Sequence, residues 1–171
     1  MKVVVISASP RRGANTQIMM EYLYNYVKTK NADTKFIDLS KNKIDCYLGP
    51  EENYSQITMQ TARDVTDADV WFVGSPIYNS FFSSSLKNLF EYISYKETAG
   101  KTAGIAIMAS GKIGFMNVQN AITGLMSYFR VITNPRAVHM TTNQINDGKI
   151  VDEKAMTRLR ELVDETLKLA S

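Results

Sequence analysis

The chain has 171 residues, 44% apolar and 22% charged, with a net charge of +3 at pH 7. One domain of that length buries about two-thirds of its unfolded surface without a disulfide or metal, and the single cysteine, Cys46, excludes an intrachain disulfide or a multi-thiolate cluster. Basic residues are scattered among acidic ones, which disfavours nucleic-acid binding; no stretch nears the ~20 apolar residues of a membrane span, no leader precedes the first strand, and a cytoplasmic protein is expected.

Val3-Val4-Val5-Ile6 is a β-branched run ended by small residues and Pro10, the pattern of a parallel strand buried on both faces. From Asn15 the period changes: Ile18, Met19, Leu23, Tyr26 and Val27 recur at helical spacing, and the helix fades near Asn31. Residues 36–39 read as a second strand, 40–55 as a polar loop containing Gly49-Pro50, and 56–65 as a helix. Residues 70–74 form a third strand stopped by Ser75-Pro76, and 83–95 a helix with Leu86, Leu89, Phe90 and Ile93 on one face. A fourth strand is predicted over 102–109, a helix over 115–129, and a fifth strand within 131–140 that Pro135 interrupts. Residues 152–169 close the chain as an amphipathic helix carrying Met156, Leu159, Val163 and Leu167.

Strand and helix alternate with short links, which predicts an α/β fold of parallel strands joined by right-handed crossovers, as one domain over 1–171. Ligands of such sheets bind beyond the carboxyl ends of the strands at the topological switch point. That rule brings three turns into one crevice: 7–17, 75–85 and 109–117.

The first turn leaves a buried strand and opens a helix, whose free N–H groups and macrodipole favour an anion. Ser9, Asn15, Thr16 and the neighbouring Gln17 are candidate donors, Arg11 offers a guanidinium fork, and Gly13 lets the backbone turn. A single glycine does not match the Gly-x-Gly-x-x-Gly dinucleotide turn or the lysine-bearing triphosphate loop, and suits one terminal phosphate. The alternative is that Asn15 or Thr16 merely caps the helix and the arginines are solvated.

Ser9-Pro10-Arg11-Arg12-Gly13-Ala14-Asn15-Thr16 resembles the phosphate loop of the NAD(P)H-dependent FMN reductases, a family of flavodoxin-like flavoproteins. The second turn, Pro76-Ile77-Tyr78-Asn79 followed by Ser83-Ser84-Ser85-Leu86-Lys87-Asn88, resembles that family's Pro-x-Tyr-Asn turn with its small-residue stretch and Leu-Lys-Asn. The resemblance implies that Pro76, Ile77, Tyr78 and Asn79 run beside the isoalloxazine. In the third turn it implies Ser110 and Gly111 beside the ring; Lys112-Ile113 separates Gly111 from Gly114, where the family often has adjacent glycines. Lys112 either lies near the N1–C2 edge of the flavin or points into water.

The resemblance further implies a three-layer sandwich whose five-stranded parallel sheet has the order 2-1-3-4-5, with helices on both faces. It implies FMN as cofactor and NADPH or NADH as reductant, a small-molecule acceptor or free flavin as partner, and a homodimer or homotetramer. Hydride transfer by the flavin requires no catalytic side chain, and none is assigned. The alternatives are an FMN-dependent reductase of quinones, azo compounds or metal oxyanions, and a flavodoxin-type electron carrier, which the positive net charge disfavours.

Other residues read as structural. His139, the only histidine, lacks partners for a metal site or a hydrolase triad. Lys87 stands four residues before Glu91, the spacing of a helical ion pair. Iron–sulfur flavoproteins, with a similar first loop, carry four cysteines after the second strand; Cys46 alone excludes their cluster. Phe81-Phe82 and the closely spaced Tyr22, Tyr24 and Tyr26 are surplus aromatics available to a partner copy.

Overall fold

A computed structural model describes residues 1–171. The elements are β1 (Lys2–Ser7), α1 (Asn15–Lys28), β2 (Asp33–Asp38), α2 (Gln56–Asp67), β3 (Val70–Pro76), α3 (Ser84–Glu91), β4 (Thr102–Ala109), α4 (Phe115–Tyr128), β5 (Ile132–Thr133), β6 (Val138–Thr141), β7 (Ile145–Asn146), β8 (Lys149–Ile150) and α5 (Glu153–Leu169). β3 and β4 are buried along their whole length and β1 from its second residue, as their unbroken apolar runs require.

The parallel sheet has the predicted order β2-β1-β3-β4-β5. Its fifth position is filled by two strands in tandem. β5 pairs with the start of β4, and β6 pairs with its end, from Ala106 with Val138 to Ala109 with Thr141. Between them the Asn134 N–H still reaches the Ala103 carbonyl at 2.8 Å, and Pro135, which lacks an N–H, marks the break.

The two faces of the sheet bury separate cores. Val4, Ile6, Trp71, Val73, Ile105 and Ile107 pack with Val65 of α2, Leu86 and Leu89 of α3 and Val118 and Ile122 of α4. Val3, Val5, Phe72 and Met108 pack with Met19, Met20, Leu23 and Val27 of α1 and Leu159 and Val163 of α5. In register, Ser7 lies beside Gly74 and Gly74 beside Ala106, so the three central strands deliver their turns side by side.

Three details depart from the sequence-based expectations. α3 ends at Glu91 rather than near residue 95, and a 3₁₀ turn follows over Tyr95–Glu97; the Ser94 side chain accepts from the Lys96 N–H, a local bond that competes with helix continuation. β7 and β8 form a hairpin in a stretch with no predicted element. Its tip, Asp147-Gly148, has φ of 45° and 71°, the left-handed pair of a two-residue hairpin turn. The three tyrosines of α1 are used internally: Tyr22 Oη accepts from Arg160 at 2.7 Å, Tyr24 packs on Phe36 at 5.2 Å, and Tyr26 Oη donates to Asp164 at 3.0 Å. Of the phenylalanine pair, Phe82 is buried and Phe81 is 52% exposed. No helix is long and apolar enough to cross a membrane.

Candidate functional site

The three turns are tied together by hydrogen bonds. The Ala8 N–H donates to the Gly74 carbonyl at 2.8 Å, and the Ala8 carbonyl accepts from Ser83 Oγ at 2.6 Å and Ser85 Oγ at 2.8 Å. Ser9 Oγ accepts the Arg11 N–H at 3.2 Å and lies 3.1 Å from Tyr78 Oη, so a buried serine joins the first turn to the second. The Ile77 N–H donates to the Met108 carbonyl at 3.0 Å, joining the second turn to the end of β4.

The second turn is itself a tight reversal. Tyr78 and Phe81 exchange N–H···O bonds of 2.9 and 3.0 Å, which leaves Asn79 and Ser80 at its tip with φ of 48° and 66°. Asn tolerates that region; for serine it is a strained conformation held by its surroundings. The third turn packs against this one. Gly114 has φ of 91°, and a Cβ there would lie 3.6 Å from Ile77 Cγ2 and 3.7 Å from Ser80 Oγ.

Between the turns lies a cavity of about 430 Å³. Seven predicted site residues line it: Arg11, Asn15, Thr16, Pro76, Ile77, Tyr78 and Ser110. Gly13, Ala14, Met108, Ala109 and Thr142 complete the wall. Thr142 lies just beyond β6, and no sequence signal marked it, because its position follows from how the chain resumes after Pro135. The other four predicted residues lie outside the lining. Ser9 is buried behind it, Gln17 Nε2 donates to Glu21 at 2.7 Å one helical turn on, and Asn79 and Gly111 are exposed at the corners of their turns. Lys112 is likewise exposed.

The chemistry of the cavity follows from what is missing at the start of α1. Its N-cap is Ala14, which has no side chain to offer, and the first helical N–H groups bonded are those of Gln17 and Ile18, both to the Ala14 carbonyl. The N–H groups of Asn15 and Thr16 therefore have no protein acceptor, which overturns the alternative that Asn15 or Thr16 caps the helix. The other helices that open elsewhere are capped in the ordinary way, α2 by Ser55, α3 by Ser83 and α5 by Asp152. α4 also lacks a side-chain cap and begins at Gly114 against Ile77.

Arg11 is the only charged residue lining the cavity. The ion pairs of the chain are Lys30–Asp164, Lys35–Asp64, Lys41–Asp38, Lys87–Glu91 and those of Arg136 with Glu161 and Glu165, and Arg11 takes part in none. A free guanidinium and an uncapped helix terminus facing one concave space form a receptor for a compact anion. Proline, isoleucine, tyrosine and methionine line the rest, which suits a flat apolar ring.

His139 supports this region without lining the cavity. Its ring stacks on Phe115, the first residue of α4, at 4.6 Å and 8°, and Nε2 lies 2.8 Å from Gln119 Oε1. Burial, helped by the charge of Arg158, holds the imidazole below the ordinary histidine value. The unfolded chain then binds more protons than the folded one just below pH 6.5, so stability rises with pH up to about 6.5 and levels off above it. His139→Gln is expected to flatten that slope in thermal melts between pH 5 and 7; an unchanged slope would assign it to other groups.

Comparison with known proteins gives concordant results. The sequence pattern described as NADPH-dependent FMN reductase matches residues 1–145. An NAD(P)H-dependent FAD/FMN reductase of Geobacillus thermodenitrificans is 25% identical over 161 residues, covering 92% of this chain and 87% of that protein. An NADPH azoreductase of Bacillus sp. strain OY1-2 is 24% identical over 166 residues, covering 96% and 90%. Among solved structures, an NADH:FMN oxidoreductase in its apo form superposes with a TM-score of 0.81 at 19% identity, covering 96% of this chain and 87% of that one, a likeness of fold. With that family pattern spanning residues 1–145 of its 171, the chain belongs to the NADPH-dependent FMN reductase family.

Proposed function

We propose that residues 1–171 act as one unit that binds FMN in the 430 Å³ cavity and reduces it with NADPH or NADH. The observation that carries this reading is the uncapped start of α1 beside the unpaired Arg11. The Asn15 and Thr16 N–H groups and the Arg11 guanidinium would hold the phosphate. Pro76, Ile77, Tyr78 and Ser110 would flank the ring system. Ser9, through Tyr78 and the Arg11 backbone, would set the spacing between those two sets of contacts. Bound FMN supplies the redox chemistry by accepting a hydride from the nicotinamide, and the protein contributes binding and orientation.

A preparation freed of flavin should consume NAD(P)H only after FMN is added. Oxidation without FMN, or none with FMN and any acceptor, would sink the reading. A second reading, reduction of azo compounds or quinones by the bound flavin, is favoured by the similarity to the Bacillus azoreductase. Turnover on free FMN compared with turnover on an azo dye and a quinone separates the two.

The exposed Cys46 thiol suits the reducing cytoplasm. Phe81 of the second turn (52% exposed), Ile113 of the third (91%) and Met116 at the start of α4 (58%) are exposed apolar side chains, which supports self-association as a homodimer or homotetramer. Elution as a monomer on size-exclusion chromatography would remove that idea.

A further inference from the structure

The cavity wall is built from four strand ends that lie side by side in the sheet, those of β1, β3, β4 and β6. Arg11, Asn15 and Thr16 follow β1 at one end of that row, and Thr142 follows β6 at the other. Adjacent strands lie about 4.8 Å apart, so three spacings separate the two ends by roughly 14 Å. A flavin whose phosphate sits at the first end therefore has its ring toward the second. Thr142 brings there a hydroxyl that bonds no protein group, whereas the hydroxyl of the preceding Thr141 is taken up by Asn143.

Thr142 stands where it does because of a chain of bonds that runs away from the cavity. Gln144 accepts the Thr141 N–H on Oε1 at 2.8 Å and donates from Nε2 to Asp152 Oδ2 at 2.9 Å. The other carboxylate oxygen of Asp152 accepts the Ala155 N–H at 2.8 Å as the cap of α5. The β7–β8 hairpin lets these residues meet. It pairs Ile145 with Ile150, and the Val151 N–H returns to the Gln144 carbonyl at 2.9 Å. Both isoleucines pack on the core beneath α1 and α5. The turn that carries Thr142 is thus pinned to the start of a 17-residue helix, although no residue of that helix lines the cavity.

We propose, on the flavin reading of the cavity, that Thr142 hydrogen-bonds the polar edge of the isoalloxazine and that Gln144, anchored by Asp152, is the residue that positions it. A fourth segment then joins the three turns around the flavin. The hairpin gains a task as well, since it carries the cap of α5 back to the strand end where the ring lies.

The test is titration of flavin-free protein with FMN and with lumiflavin, which has the ring but neither ribityl chain nor phosphate, each followed by quenching of flavin fluorescence. Thr142→Val keeps the shape of the side chain and removes the hydroxyl. It should weaken both ligands alike, by about three- to tenfold, the worth of one hydrogen bond, and leave the Tm of the flavin-free protein unchanged. Wild-type affinity for FMN in Thr142→Val, or a loss for FMN that spares lumiflavin, overturns the contact. Gln144→Ala should weaken FMN by a similar factor in the wild-type background and by little in Thr142→Val, where it has nothing left to position. Equal factors in the two backgrounds overturn the positioning role. Gln144→Glu sets two carboxylates against each other and should also weaken FMN. Adding Asp152→Asn, which still caps α5, should restore binding, because donor and acceptor have only changed places. A double variant no better than Gln144→Glu overturns the link through Asp152, and a purely structural Gln144 would move Tm without this reversal. Wild-type protein that takes up no FMN overturns the flavin reading and this contact with it, whereas wild-type uptake with unaltered variants overturns the contact alone.

Discussion

Arg11→Ala should weaken FMN binding by roughly 1.5–3 kcal/mol, the usual worth of hydrogen bonds to a charged group, with no loss of thermal stability in the flavin-free protein. Arg11 is exposed and takes part in no ion pair, so truncating it removes nothing the fold uses. It is also the only charge on the cavity wall, so nothing else there can replace it opposite a phosphate dianion. Arg11→Lys keeps the charge and loses the planar fork, and should fall between wild type and alanine. Arg12, next in sequence but not part of the wall, should be nearly neutral when changed to alanine. Quenching of flavin fluorescence during titration gives all four dissociation constants. Wild-type affinity in Arg11→Ala would mean that the α1 terminus holds the phosphate unaided, or that the phosphate lies elsewhere.

The sheet was legible because its three central strands are buried on both faces and therefore read as unbroken apolar runs, Val3 to Ile6, Val70 to Val73 and Ile105 to Ala109. The site was legible where composition and position agree: a loop with one glycine and an arginine at the end of β1, and Pro-x-Tyr-Asn at the end of β3. What escaped was set by partners distant in the chain. Whether Asn15 caps α1 depends on where the helix begins, and the structure puts Ala14 at the cap, so the helix starts without one. Gln17 reads as a donor beside the phosphate, but one helical turn away Glu21 claims its amide. Ser9 reads as a phosphate ligand, but it is buried and its hydroxyl lies against Tyr78, 69 residues on. The Asp147-Gly148 hairpin leaves only the turn dipeptide as a trace in the sequence, since two-residue strands are too short for any periodicity to show.

Trp71→Ala should have the opposite profile to Arg11→Ala: about 3–5 kcal/mol of stability lost, with the flavin affinity of the folded molecules unchanged. Trp71 is fully buried in β3, its ring packs edge-to-face with Phe90 at 5.5 Å between centroids, and its Nε1–H donates to the Val65 carbonyl at 2.8 Å. Truncation opens a hole between β3 and the helices of one face. The hydrogen bond is a minor part of the loss, because the Val65 carbonyl also accepts from the Ala68 N–H at 3.3 Å. Trp71→Phe should accordingly recover most of the stability. For a chain of this length the alanine change corresponds to a fall of roughly 6–20 °C in Tm. FMN bound only by the folded state at 100 times its Kd restores about 2.7 kcal/mol, enough to refold much of the Trp71→Ala protein. At that same FMN concentration Arg11→Ala, with its raised Kd, should gain far less in Tm than wild type does. Melting both variants with and without FMN therefore separates the scaffold from the site in one experiment. Equal FMN-induced shifts in wild type and Arg11→Ala would remove Arg11 from the phosphate, and no shift in Trp71→Ala would tie the β3 core directly to flavin binding.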